Sequence, residues 1–125
     1  MSEEKNHISL IKILDAAETI LFLKVILDAA EKIIDFSRPF SKADDFFTDK
    51  KSFDAVCMNF VVIGEMVDRI SDRFKLKYST IDWKSIKGLR NIIAHDIFGV
   101  DAEEIWSIIK LHIPAMIESI QKIIK

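Results

Sequence analysis

The residues most able to do chemistry lie in one short run, Gly88-Leu89-Arg90-Asn91-Ile92-Ile93-Ala94-His95-Asp96. A guanidinium, an amide, an imidazole and a carboxylate fall within seven positions. Imidazole titrates near neutral pH and can give or take a proton. A guanidinium carries a fixed charge and a fork of donors that suits an oxyanion. Together they suit work on a phosphate. On a regular helix Asn91 and His95 are four apart and share a face. Arg90 and His95 are five apart, about 140° around the axis at 3.6 residues per turn, and converge only if the helix loosens or the arginine reaches round. A plainer reading of the same residues is a surface arginine and a histidine at the carbonyl end of a helix, where a cation is welcome.

Local charge favours the first reading. Between Asp68 and Arg90 there are seven basic and three acidic residues, a net +4 that leaves −6 for the rest of the chain. A basic segment leading into Arg90 and His95 suits a phosphate ligand. Lys84, Lys87 and Asp96 are the neighbours expected to contact such a substrate, although solvated lysine runs without a specific role are common. Other chemical signatures are missing. The sequence has no Gly-rich phosphate loop, no H-E-x-x-H, no C-x-x-C and no EF-hand loop. The three histidines, His7, His95 and His112, are far apart. No metal or other cofactor is expected.

These residues need a scaffold, and periodicity makes it helical. Phe53, Val56, Phe60, Ile63, Val67, Ile70 and Phe74 follow one another in steps of three and four, which predicts one helix of about 25 residues. Asp49 or Ser52 can cap its start. Gly64 and Glu65 sit in its middle. Glycine there costs about 1 kcal/mol relative to alanine, so close approach of a neighbouring helix is expected, with Glu65 pairing a cation across the bundle. Trp106, Ile109, Ile113, Met116, Ile120 and Ile124 form a second stripe. Asp101 and Glu104 resemble a capping box at its start, and Pro114 is expected to bend it by removing the bond to the Lys110 carbonyl.

A first helix is expected from about Ile8 to Asp35. It is apolar nearly all round between Ile20 and Leu27, which means either burial on two sides, the second against another subunit, or a kink that rotates the stripe. A short helix over Lys42 to Phe47, after Pro39 and Ser41, and one from Trp83 to near His95, capped by Asp82 and followed by Gly99, complete the set. The expected fold is all-α: an antiparallel bundle of four main helices plus a short one.

Size and composition agree. A chain of 125 residues, half apolar with three Gly and two Pro, fits one domain over residues 1–125 that can bury roughly two-thirds of its unfolded surface. The single cysteine, Cys57, rules out a disulfide framework within the chain and a Cys-rich zinc site. A net charge of −2 argues against non-specific electrostatics as the main route to nucleic acid. The first six residues are polar and mixed in charge, and Lys24 and Asp28 interrupt the most apolar stretch. The expectation is therefore a soluble, cytoplasmic protein with no membrane partner.

Val62-Ile63-Gly64-Glu65, Ile81-Asp82-Trp83-Lys84, the Gly88 to Asp96 run, Phe98-Gly99-Val100-Asp101 and Trp106 occur in an order and spacing that resembles HepT-like HEPN-domain proteins. These are toxin halves of two-gene systems, paired with minimal nucleotidyltransferase antitoxins. The resemblance spans about Ile8 to Ile120. It implies a helical bundle that forms a homodimer and a metal-independent endoribonuclease. The family's R-x-x-x-x-H motif falls on Arg90, Asn91 and His95, the expected catalytic residues. In the family the partner transfers AMP to a tyrosine two residues after the histidine. Here that position is Ile97, which has no hydroxyl, and the single tyrosine is Tyr78. The competing class is a non-catalytic HEPN module that binds a minimal nucleotidyltransferase, a nucleotide, or both.

Overall fold

The computed structural model describes residues 2–91 and 102–124. Every regular element among them is helical. The expected all-α class holds, with a different division into elements.

Helix α1 (Ser2–Ser37) is unbroken over 36 residues, longer than expected at both ends. Leu23, Ile26, Ala30 and Ile33 recur in steps of three and four and are fully buried. They face α3 (Lys50–Arg69) and the last helix, α7 (Ile113–Ile124). Leu10, Leu14, Leu21 and Val25 lie on the other side and are exposed, with Ile13 and Ile20 beside them. Helix α1 is thus one continuous helix with two apolar sides, one buried in the bundle and one exposed.

A short helix, α2 (Ala43–Thr48), follows. It lies one residue later than the expected Lys42 to Phe47, and its N-cap, Lys42, makes no side-chain cap bond. Phe46 is almost wholly buried and meets the rings of Phe40, Phe53 and Trp106 at 5.8, 5.8 and 5.5 Å. This cluster ties the α1–α3 connection to α6 (Ala102–Ser107).

Asp49 caps α3 by accepting from the Ser52 backbone N–H. Val56, Phe60, Ile63 and Val67 form its buried stripe. The helix ends at Arg69 instead of continuing to Phe74. Ile70 and Ser71 are extended, and Ser71 caps a new helix, α4 (Asp72–Lys77), by accepting from Phe74 N–H. The Ser71 hydroxyl donates to Asp15 of α1 at 3.0 Å, so the break is satisfied from both directions. The 3–4 period survives because Phe74 still packs on the core across the break.

Helix α5 (Trp83–Lys87) is capped by Asp82 as expected, but ends at Gly88 rather than near His95. Residues 89–91 are again helical. The remainder of that expected helix, with His95 and Gly99, lies outside the described residues, as does Asp101. The final run is α6, a π-helical turn (Ile108–His112) and α7. Pro114 has no N–H for the Lys110 carbonyl. The run just before it is a π turn, in which the Ile113 N–H reaches back to the Ile108 carbonyl. Ile105, Ile109, Ile113, Met116 and Ile120 are buried, and Trp106 is half-buried under Lys110, whose Nζ lies 4.4 Å from the ring centroid.

Candidate active site

The site is built on one turn of α3. A Cβ placed at Gly64 would stand 3.1 Å from the Cβ of Arg90 and 3.5 Å from the Lys87 carbonyl oxygen. A side chain here would have to push the 87–90 segment back by a few tenths of an ångström, so glycine suits this close approach. The glycine in a helix interior therefore has the use expected of it, close approach by a neighbour.

The next residue on α3 completes the contact. Arg90 Nη1 donates to Glu65 Oε1, which is the cross-bundle pairing expected for Glu65. One turn on, Lys87 Nζ lies 2.9 Å from Asp68 Oδ1. The two pairs run antiparallel: 65 meets 90 and 68 meets 87. The Lys87 hydrogen bond, then its charge, hold the Asp68 carboxyl below its ordinary range, against a small opposing cost of burial. The Arg90 and Glu65 side chains keep 43% and 44% of their surface exposed. Ion pairs this wet add little stability. Their consequence is orientation, because a long flexible arginine is fixed at both its Cβ and its head. A guanidinium has five N–H donors. The Glu65 bond uses one nitrogen of the fork, and an oxyanion can be bound by the others.

The other expected site residues fall as follows. Asn91 is exposed, on the helical turn 89–91 that carries Arg90. Lys87 is brought to α3 beside Arg90. Lys84 is exposed and lies elsewhere, sharing a shallow groove of about 670 Å³ with Lys75 and with Asp72 and Asp82. His95 and Asp96 lie outside the described residues. Asp68 was counted in the sequence only as an acid within a basic run. The matched three-residue spacings, 65 to 68 and 87 to 90, are the signal that points to it.

The family model described as Ribonuclease HepT-like matches residues 26–123. The chain belongs to the HepT-like ribonuclease family. Over 104 residues it is 38% identical to a candidate RNase of Methanocaldococcus jannaschii, covering 83% of this chain and 85% of that one. It is 33% identical over 104 residues to a candidate ribonuclease HepT of Thermococcus cleftensis, covering 83% and 94%. A candidate RNase of Caldanaerobacter subterraneus is 31% identical over 104 residues, covering 83% and 92%. No solved structure matches the chain. In this HepT-like chain the family match takes in α3, both ion pairs and the Arg90 segment, and begins after the exposed apolar stripe of α1. Among the described residues, no helix is long and apolar enough to cross a membrane.

Proposed function

We propose that this HepT-like chain is a metal-independent endoribonuclease of the HEPN type, and the toxin half of a two-gene system in the cytoplasm. It acts as one domain over residues 1–125 and as a homodimer, with RNA as substrate and a minimal nucleotidyltransferase as antitoxin. The observation that carries the reading is the placement of Arg90, seated on Gly64 and oriented by Glu65.

RNA can be cut by its own 2′-OH. The 2′-oxygen attacks the adjacent phosphorus, and the bond from phosphorus to the leaving 5′-oxygen breaks. A base takes the 2′ proton, an acid gives one to the leaving oxygen, and fixed donors stabilise the phosphorane. One motif supplies a single imidazole. Two copies across a two-fold axis supply two, so His95 of one protomer serves as base and His95 of its partner as acid. Arg90 stabilises the charge on phosphorus. Asn91 orients the phosphate or the imidazole, and Asp96 holds His95 in one tautomer. Lys87 adds positive charge beside Arg90, and Lys84, in its separate groove, contacts the strand farther from that phosphate. The products end in a 2′,3′-cyclic phosphate and a 5′-hydroxyl.

The dimer is supported by the second apolar side of α1, where large side chains from Leu10 to Val25 stand exposed. A monomer rarely leaves such a contiguous stripe to water. Ile97 removes AMP transfer at that position as a control, so the antitoxin restrains this chain by docking or by modifying another residue. The same departure favours a second reading, a non-catalytic module that binds the nucleotidyltransferase. Analysis of RNA ends separates the two. Cyclic-phosphate ends that disappear with Arg90→Ala support the nuclease. Folded, dimeric protein that leaves RNA intact supports the module.

A further inference from the structure

Asp68 draws together more charge than that of its partner Lys87. Its carboxylate lies 2.9 Å from Lys87 Nζ, and it is close enough to Arg90 and Lys75 for their charges to interact with it. The three cations come from three places in the chain. Lys75 stands in the last turn of α4, Lys87 at the end of α5, and Arg90 on the turn 89–91. The break after Arg69 turns the chain into α4, and Gly64 seats the 87–90 segment. Both features therefore bring basic side chains to the C-terminal end of α3. Two carboxylates, Glu65 and Asp68, stand among the three cations and leave an excess of one positive charge.

Neither carboxylate uses up its partner. An ammonium has three N–H donors and a guanidinium five. The Lys87 and Asp68 side chains keep 57% and 45% of their surface exposed, so the pair is wet and weakly held. Lys87 therefore keeps donors that a phosphate can reach. Lys75 is half-buried, which restricts where its head can go. The spacing suits a strand. Glu65 and Asp68 are three residues apart on α3, about 4.5 Å along its axis, and the cations they hold are set apart to match. Two cations one turn apart suit two neighbouring phosphates, Arg90 taking one and the ammonium groups the next. Lys75 also lines the groove that holds Lys84, Asp72 and Asp82, so a strand passing over Lys75 is led toward it.

We infer that Lys75 and Lys87 form a second phosphate subsite beside Arg90, which holds the RNA strand one phosphate away from the one that reacts, with Asp68 as its internal counter-ion. The inference rests on the nuclease reading for its substrate, but its binding test needs no cleavage. Asp68 gathers the two lysines and also repels the phosphate they bind, so it lowers the affinity of the subsite.

The test is RNA binding by the full chain, read by fluorescence anisotropy with a single-stranded 2′-O-methyl RNA that cannot cut itself. Salt is varied from about 50 to about 200 mM. Lys75→Gln and Lys87→Gln should each weaken binding several-fold at the low end. The double variant should lower the slope of log affinity against log salt by about 0.7, the contribution of one phosphate contact. Lys50→Gln, an exposed lysine at the far end of α3, is the control and should change neither. Asp68→Asn should tighten binding by about fivefold, because it removes a repelling charge beside the phosphate. A salt bridge with only a structural role would give no such gain. A double variant with the parent's slope, Lys75→Gln or Lys87→Gln binding as the parent does, or no binding by the parent at low salt, would overturn the subsite. Equal or weaker binding by Asp68→Asn would overturn the counter-ion role. Failure of the nuclease reading shows separately, as ordinary RNA left intact by a chain that keeps this salt dependence.

Discussion

The guanidinium of Arg90 donates to the carboxylate of Glu65, one residue beyond the glycine on which its own Cβ rests. Two neighbouring positions of α3 therefore set both ends of one side chain. Losing Glu65 should loosen Arg90 without unfolding the protein. Glu65→Gln is expected to change thermal stability little, because an ion pair at this exposure is worth at most about 1 kcal/mol. RNA cleavage should fall much further, by up to about a hundredfold, as expected for a misplaced catalytic group. The effect should not add to that of Arg90→Ala. Single-turnover rates for the two single variants and the double variant check this.

Gly64 should resist any larger residue. Valine there gains helix propensity but must push against Arg90 Cβ and the Lys87 carbonyl, which are anchored to backbone. Overpacking of this kind costs about 1–3 kcal/mol. Gly64→Val is expected to melt several degrees lower than the parent in a calorimetric scan. A variant that melts at or above the parent temperature would show that the segment yields freely.

Acid should weaken the contacts that surround the site. Asp82 is held below its ordinary range by the Ser85 hydroxyl, then by the Ser85 N–H, and Asp68 by Lys87. Both pKa values are depressed in the folded state. Their stabilisation is present above the unfolded carboxyl value, about 3.9, and is lost as pH falls through the lower folded values. Asp82→Asn keeps a capping oxygen but does not titrate in this range. Melting temperatures measured from about pH 6 down to about pH 2 should fall less steeply for this variant than for the parent.

The exposed side of α1 tests the assembly. Leu14→Glu with Leu21→Glu places two charges in the stripe while leaving the buried side, Leu23 to Ile33, intact. The helix content should stay, and sedimentation should report a monomer. Cleavage should fall with the dimer, because each site draws an imidazole from both protomers. A helical monomer that cuts RNA as fast as the parent would remove the shared site from the mechanism.

Much of this arrangement was legible in the sequence. Gly64 stood out because a glycine inside a strict apolar stripe has a local cost and needs a distant reason. Asp49 and Asp82 were legible as caps because capping is local. The end of α3 was not. Phe53 to Phe74 keep one period across two helices, and Ser71, which divides them, finds its partner at Asp15, 56 positions away. Pro114 announced a disturbance, but a π turn just before it depends on the Ile113 N–H finding the Ile108 carbonyl. The Lys87–Asp68 pair was hidden because opposite charges within a basic run do not reveal which of them meet.

The central claim is metal-independent RNA cleavage by the Arg90–His95 motif. The most direct measurement is cleavage of an end-labelled RNA by the purified protein in EDTA, beside His95→Ala. The account predicts fragments ending in 2′,3′-cyclic phosphate from the parent, and a loss of roughly a hundredfold or more in the variant. Intact RNA with both proteins folded and dimeric, or equal cleavage by the two, would contradict it.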